Sequence, residues 1–181
     1  MTAMCQTIYG MKIHTDLKLR VIANTADMPW APSPVNGIDR KMLERDGDEI
    51  ARATSLVRYA PHSSFTPHQH ELGEEFLVLD GVFQDELGEY PAGTYVKNPP
   101  GSSHTPFTET GCTLFVKLRY QDPSDHERVV INSASAEWYQ GMVPGLTVMP
   151  LATFGTTNTA LVRWASGTYF NPHRHFGGEE I

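Results

Sequence analysis

Cysteine is scarce in this chain: Cys5 and Cys112 are the two among 181 residues. Two residues so far apart make no disulfide framework, and a reducing, cytoplasmic setting is expected. Cys112 reads as a small buried apolar residue beside a strand. Positive charge is short as well, with 14 Lys and Arg against 21 Asp and Glu and a net charge of −7. That excludes the basic patch a phosphate backbone requires, so no nucleic-acid partner is expected. No apolar run approaches the roughly 18 residues that would span a bilayer, so no membrane is expected as a partner. The first twenty residues lack a charged start followed by an apolar stretch, and no signal peptide is read there. Amphipathic helices longer than a few turns are missing too.

What is present is turn chemistry and short strands. Pro (13) and Gly (15) recur at short intervals, which favours many turns over long helices. Met28–Val35 (MPWAPSPV) carries three prolines and reads as an extended arm. A short helical turn is expected around Lys41–Glu44. Strand signals follow at Ala51–Ala60, Glu75–Leu79, Val82–Phe83, Gly93–Lys97, Thr113–Arg119, Val129–Ile131, Leu146–Met149 and Ala160–Ala165. Asp80-Gly81 reads as a hairpin turn, and Asp85–Glu89 as a solvated hairpin loop. Strands at such spacings predict an all-β fold, an antiparallel sandwich or barrel.

One phrase is written twice. RYAPHSSFTPHQHELGEEF (Arg58–Phe76) aligns without a gap on RWASGTYFNPHRHFGGEEI (Arg163–Ile181). Arg, Ala, Phe, Pro, both His, Gly and both Glu recur in place, which points to a duplicated β-domain. After Ile181 no second Pro-Pro-Gly turn with its His follows, so the second copy is expected to be incomplete.

The repeated phrase is rich in metal-ligating groups. His68 and His70 are two apart, and on a strand such residues point to one side. Glu74 follows at the start of the next strand segment, and alternation would send its rival Glu75 to the opposite face. His104, beyond the Pro-Pro-Gly turn of GTYVKNPPGSSHTPF, is the candidate to complete the set. Three imidazoles and a carboxylate suit a borderline-to-hard divalent ion. His173, His175 and Glu179 form a candidate second set. Phe76, Tyr95 and Phe107 are expected to line the core or cavity, and Tyr95 and Phe107 are candidates for substrate contact.

At these residues the chain resembles the cupins. Their first motif is G-x5-H-x-H-x3-E-x6-G, met here by His68, His70, Glu74 and Gly81, with His62 where the leading Gly would stand. Their second is G-x5-P-x-G-x2-H-x3-N, met by Gly93, Pro99, Gly101 and His104, with Thr108 in place of the Asn. The resemblance implies a small jelly-roll-like β-barrel holding one divalent metal by three His and one Glu. The stretch from Gly73 to Phe107 is similar to the cupin domain of anti-sigma factors of the ChrR type, which implies a zinc site at His68, His70, Glu74 and His104. Sigma-factor binding in that family belongs to an N-terminal domain with an H-x3-C-x2-C segment. The chain shows no such segment, so a sigma-factor partner is not expected. The same family is similar to iron dioxygenases that cleave aryl ketones or diketones.

The expected organisation is an N-terminal arm (1–45), a first cupin domain with the metal site (46–122) and a second, apparently truncated cupin-like domain (123–181). Three functions stay open. One is a zinc-type sensor or regulatory cupin. Another is an iron-dependent dioxygenase acting on a small molecule. The last is a non-catalytic ligand-binding cupin. Zinc is the first choice of metal, with iron, manganese or nickel as alternatives, and a homodimer is the expected assembly.

Overall fold

The computed structural model describes residues 10–181, and Cys5 lies outside the described residues. The regular elements are strands: β1 (Lys12–Ile13), β2 (Ala31–Pro32), β3 (Ile38–Asp46), β4 (Arg52–Tyr59), β5 (Ser63–Ser64), β6 (His68–His70), β7 (Glu74–Asp85), β8 (Gly88–Pro91), β9 (Thr94–Asn98), β10 (Ser102–His104), β11 (Phe107–Thr108), β12 (Cys112–Leu118), β13 (Val129–Asn132), β14 (Tyr139–Gln140), β15 (Leu146–Phe154) and β16 (Thr157–Trp164).

β3, β4, β12 and β7 lie side by side, each antiparallel to the next, and β9 and β13 extend this sheet beyond β7. Alternation sends Val57 and Tyr59, Phe76 and Val78, Val96, and Leu114 and Val116 to one face. There they meet Ile38, Phe83 and Tyr90 in the main core. Its rings pack edge to face, with Phe83 4.8 Å from Phe76 and 5.7 Å from Tyr59 between centroids, the arrangement the ring quadrupole favours. β6 and β10 pair by themselves over the core's end, and β14, β15 and β16 form a small separate sheet. Among the described residues the ladders leave these sheets open, a jelly-roll sandwich and not a closed barrel.

Three local expectations are corrected. Asp85 does not belong to a solvated loop but ends β7, buried where it bonds Tyr90 and His104. Residues 41–44 are not a helical turn but part of β3, because pairing with β4 along Ile38–Asp46 satisfies their backbone groups and tertiary pairing overrides local propensity. Asp80-Gly81 is not a hairpin turn. β7 runs through it, and the register against β12 slips there, with Thr113 opposite Asp80 but Leu114 opposite Val78. Gly81 has a φ of 74° at this bulge, and a Cβ on it would collide with the Gly111 carbonyl oxygen. The bulge changes which residues face inward: Glu74, Phe76 and Val78 before it, Phe83 and Asp85 after it.

The duplication reaches further than the repeated phrase. β14, β15 and β16 repeat β2, β3 and β4. Ala31 pairs with Arg40 as Tyr139 pairs with Val148, and Ile38 with Tyr59 as Leu146 with Trp164. Both hairpins carry one bulge, at Leu43 and at Leu151. Both stack an arginine over a tryptophan, Arg58 over Trp30 at 4.4 Å and Arg163 over Trp138 at 3.6 Å. Ungapped alignment misses this part because loop 47–51 of the first hairpin is cut to 155–156 in the second. β2 and most of β3 therefore come from the stretch read as an arm. The second sheet packs Met149, Leu151 and Leu161 against Tyr95 and Leu77 of the first.

Candidate metal centre

β6 and β10 bring the histidines together. They pair antiparallel with His104 opposite His68 and Ser102 opposite His70. Two residues apart on β6, His68 and His70 share a face. The carbonyl of His70 accepts hydrogen bonds from the Gly73 and Gly101 amides, at 3.2 and 2.7 Å. That ties the turn after β6 to the Pro-Pro-Gly reversal that carries the chain into β10. The three rings stand 4.8–5.0 Å apart between centroids. One nitrogen of each lies within 4.8 Å of the others, and His70 and His104 are buried while His68 is half-buried.

Glu74 enters from the first residue of β7. Its Oε2 lies 3.5 Å from His70 Nε2 and 3.6 Å from His104 Nε2. Ligand atoms about 2.0–2.2 Å from a common tetrahedral ion stand roughly 3.3–3.6 Å apart, so these two separations fit an ion shared by Glu74, His70 and His104, while the atoms that all lie within 4.8 Å of one another are those of the three histidines. Asn98, opposite Glu74 across the β7–β9 ladder, donates from Nδ2 to Oε2 at 3.1 Å. Glu75 points to the other face, where it accepts from the Tyr95 hydroxyl at 2.7 Å and from the Thr159 hydroxyl at 3.3 Å.

The donor set passes a second test. His70 Nε2 and His104 Nε2 are buried and lack any hydrogen-bond partner, an arrangement that costs free energy unless something binds there. The other ring nitrogen is engaged in two of the three cases. His68 Nδ1 lies 3.0 Å from the Thr66 carbonyl and His104 Nδ1 3.2 Å from Asp85 Oδ2. Donation from Nδ1 leaves Nε2 free as a ligand, the way metal-binding imidazoles are usually oriented.

Electrostatics differ around the candidate ligands. Burial lowers the pKa of His70, against the pull of Glu74. For His104 burial works downward too, but the Asp85 hydrogen bond and the nearby Glu74 carboxylate outweigh it and hold the pKa above its ordinary value. Burial pushes Asp85 upward, yet bonds from His104, the Leu87 amide and Tyr90 keep its carboxyl below the ordinary range. Sequence reasoning passed over Asn98 and read Asp85 as part of a solvated loop, whereas Asp85 is buried at the end of β7. The turn reading of Asp80-Gly81 hid the parity change that turns Asp85 inward. Nothing local marks Asn98 except its place before the Pro-Pro-Gly turn.

The remaining candidates are placed as follows. Phe76 lies in the main core, one ring away from Phe83, which itself sits 6.0 Å from His104. Phe107 is half-buried on β11, opposite Ser64 and Gln84. Tyr95 projects from the opposite face of β9 to Asn98 and packs on Met149 and Leu151, away from the histidines. His173, His175 and Glu179 are exposed. His173 Nε2 lies 2.7 Å from His175 Nε2, and His175 Nε2 lies 3.6 Å from Glu179 Oε2. His173 Nδ1 is 3.0 Å from the Asn171 carbonyl, as His68 Nδ1 is from that of Thr66. Among the described residues His68, His70 and His104 are the group of three ligand-type side chains meeting this closely.

The family described as ChrR Cupin-like domain matches the chain twice, over residues 18–122 and 126–181. Among solved structures the chain is similar to the complex of Rhodobacter sphaeroides SigE with the anti-sigma ChrR, at 23% identity over 52% of this chain and 51% of that one, with a TM-score of 0.44. It is similar to a protein from Pseudomonas aeruginosa described as glyoxylate-induced, at 16% identity over 68% and 53%, with a TM-score of 0.54. It is also similar to a protein from Methylibium petroleiphilum assigned as an acetylacetone dioxygenase, at 18% identity over 64% and 92%, with a TM-score of 0.49. At such identities the likeness is one of fold. The chain spans about half the length of the first two. No match was found among curated proteins.

Proposed function

The chain belongs to the ChrR cupin-like family, and from that premise we propose that it is a metal-binding cupin of sensor or regulatory type, holding one divalent ion, zinc first, between His68, His70, Glu74 and His104. The observation that carries this reading is the convergence of two partnerless buried nitrogens, His70 Nε2 and His104 Nε2, on one carboxylate oxygen of Glu74. A bound divalent ion supplies Lewis acidity and, where the metal is redox-active, oxygen chemistry. The protein's own part is orientation. Thr66 and Asp85 hold the rings of His68 and His104, Asn98 holds Glu74, and Phe65 and Phe83 pack near the rings at 5.7 Å from His68 and 6.0 Å from His104.

The half-exposed edge of the cluster at His68 favours a second reading: a small molecule reaches the ion from that side, as an iron dioxygenase or a ligand-binding cupin would need. His173, His175 and Glu179 are proposed as a second, weaker site, on the strength of the matching Nδ1-to-carbonyl contact in each copy. The present 2.7 Å separation of His173 Nε2 and His175 Nε2 is that of an N–H···N hydrogen bond, and the two rings would have to part to roughly 3.3–3.6 Å to ligate one tetrahedral ion.

Metal content of protein purified without added metal, measured by mass spectrometry, tests these readings. About one zinc per chain, lost in His70→Ala and Glu74→Gln, supports the sensor reading. Iron with oxygen uptake on aryl ketones or diketones supports the dioxygenase. A wild-type protein without metal that also fails to take up added zinc or iron overturns both.

A further inference from the structure

The metal ligand His104 is the inner end of a chain of hydrogen bonds that reaches the surface. Its Nδ1 lies 3.2 Å from Asp85 Oδ2. The other carboxylate oxygen, Oδ1, accepts from the Tyr90 hydroxyl at 2.9 Å and from the Leu87 amide at 2.8 Å. The Tyr90 oxygen in turn accepts from the Arg128 guanidinium at 2.8 Å. Asp85 and Tyr90 are buried, at 6% and 4% exposure, and Arg128 is exposed.

Donor and acceptor chemistry orders the protons along this chain. A guanidinium has donors and no acceptor, so Tyr90 can meet Arg128 only through its oxygen lone pair. The Tyr90 hydrogen then points to Asp85. An ionised carboxylate accepts only, so what faces Asp85 Oδ2 from His104 is an N–H. With His104 as a neutral ligand, that leaves the Nε2 lone pair for the ion it would share with Glu74, whose Oε2 lies 3.6 Å away. The opposite tautomer would set the Nδ1 lone pair against a carboxylate.

We infer that Asp85 is a positioning residue for the metal centre: with Tyr90 and Arg128 it locks the His104 proton on Nδ1 and so governs how tightly the ion is held. The inference rests on the proposal that His104 is a ligand. It adds a device joining the centre to the segment after β12, since Arg128 immediately precedes β13. A carboxylate behind an imidazole raises the basicity of the ligand and fixes the ring's orientation, and losing such a partner typically weakens metal binding about 10–100-fold. Tyr90 and Arg128 act one and two bonds further out and should matter less, in that order.

The experiment is equilibrium competition between a chelator and the full chain for Zn(II), together with the visible absorption of the Co(II)-loaded protein. Wild type is compared with Asp85→Asn, Tyr90→Phe and Arg128→Gln. The expected result is binding weaker by about 10–100-fold in Asp85→Asn, a smaller loss in Tyr90→Phe, and a shifted Co(II) band in both. A merely structural role would lower the melting temperature and leave the band where it is. A folded Asp85→Asn with wild-type affinity and spectrum overturns the inference while the metal site itself stands. Should Asp85→Asn fail to fold, Tyr90→Phe decides, and an unchanged affinity and band overturn it. A wild type that binds neither ion overturns this inference together with the proposal beneath it.

Discussion

Position 62 shows how much a single residue can carry. His62 has a φ of 61°, in the left-handed region, where the cupin motif has its leading Gly. The second copy keeps glycine at the matching place, Gly167, with a φ of 79°. A side chain in that region costs about 1–2 kcal/mol, and the exposed contact between His62 and Glu109 returns little. His62→Gly is therefore expected to stabilise the protein by about 0.5–1 kcal/mol after the added chain entropy of glycine is counted. Thermal unfolding checks it, and a lower melting temperature would contradict it. That Glu74 and Glu75 leave β7 on opposite faces was legible from strand alternation alone. Asp85 was not, because its direction depends on a bulge that only the partner strand reveals.

At the scale of elements, the bulge in β7 and the ladder beside β9 each hold a residue that tolerates little change. Gly81→Ala combines a φ of 74° with a collision against Gly111, and a loss of at least about 2 kcal/mol is expected in urea unfolding. The same change would also turn the Asp85 end of β7, so metal affinity should fall with it. On β9, Lys97 and Asp125 form a buried ion pair at 2.6 Å, each side chain about 4% exposed. Removing one partner strands a charge. Asp125→Ala should cost about 3–5 kcal/mol, whereas Asp125→Ala combined with Lys97→Met should recover most of it. A double variant as unstable as the single one would show that the pair's surroundings, not the stranded charge, set the loss.

At the scale of the whole molecule, acid–base behaviour reports the packing of the core. Burial pushes the Cys112 thiol up to about 12 and, with Asp85, the Tyr90 hydroxyl up to about 12. The native chain keeps both protons up to about that pH, while the unfolded chain releases them from about pH 8.5 and pH 10. Between those limits the folded state binds more protons, so stability falls as pH rises through this window. Urea midpoints between pH 7 and 11 should show the decline, and Cys112→Ala should remove its early part. A flat profile would mean that neither group is buried as described. The second sheet adds a further layer: its hairpin lies against Tyr95 and Leu77, and Lys117 of the first copy pairs with Glu180 of the second.

By itself the sequence determined the fold class, the doubled phrase and the four candidate ligands. These are written as local spacing: His-x-His on one strand, a carboxylate at the start of the next, a histidine after a Pro-Pro-Gly turn. Turn-dense composition and period-two patterning do not depend on distant partners. Tertiary structure decided what local spacing cannot express. It made β3 out of a segment that reads as a helical turn, and it drew β7 unbroken through Asp80-Gly81. It also extended the duplication back to Trp30 and Trp138 across hairpin loops of unequal length. Tyr95 it placed against the second sheet, and Asp85, Tyr90 and Asn98 behind the candidate ligands. Each of these outcomes rests on which strand lies alongside, a relation between residues far apart in the chain.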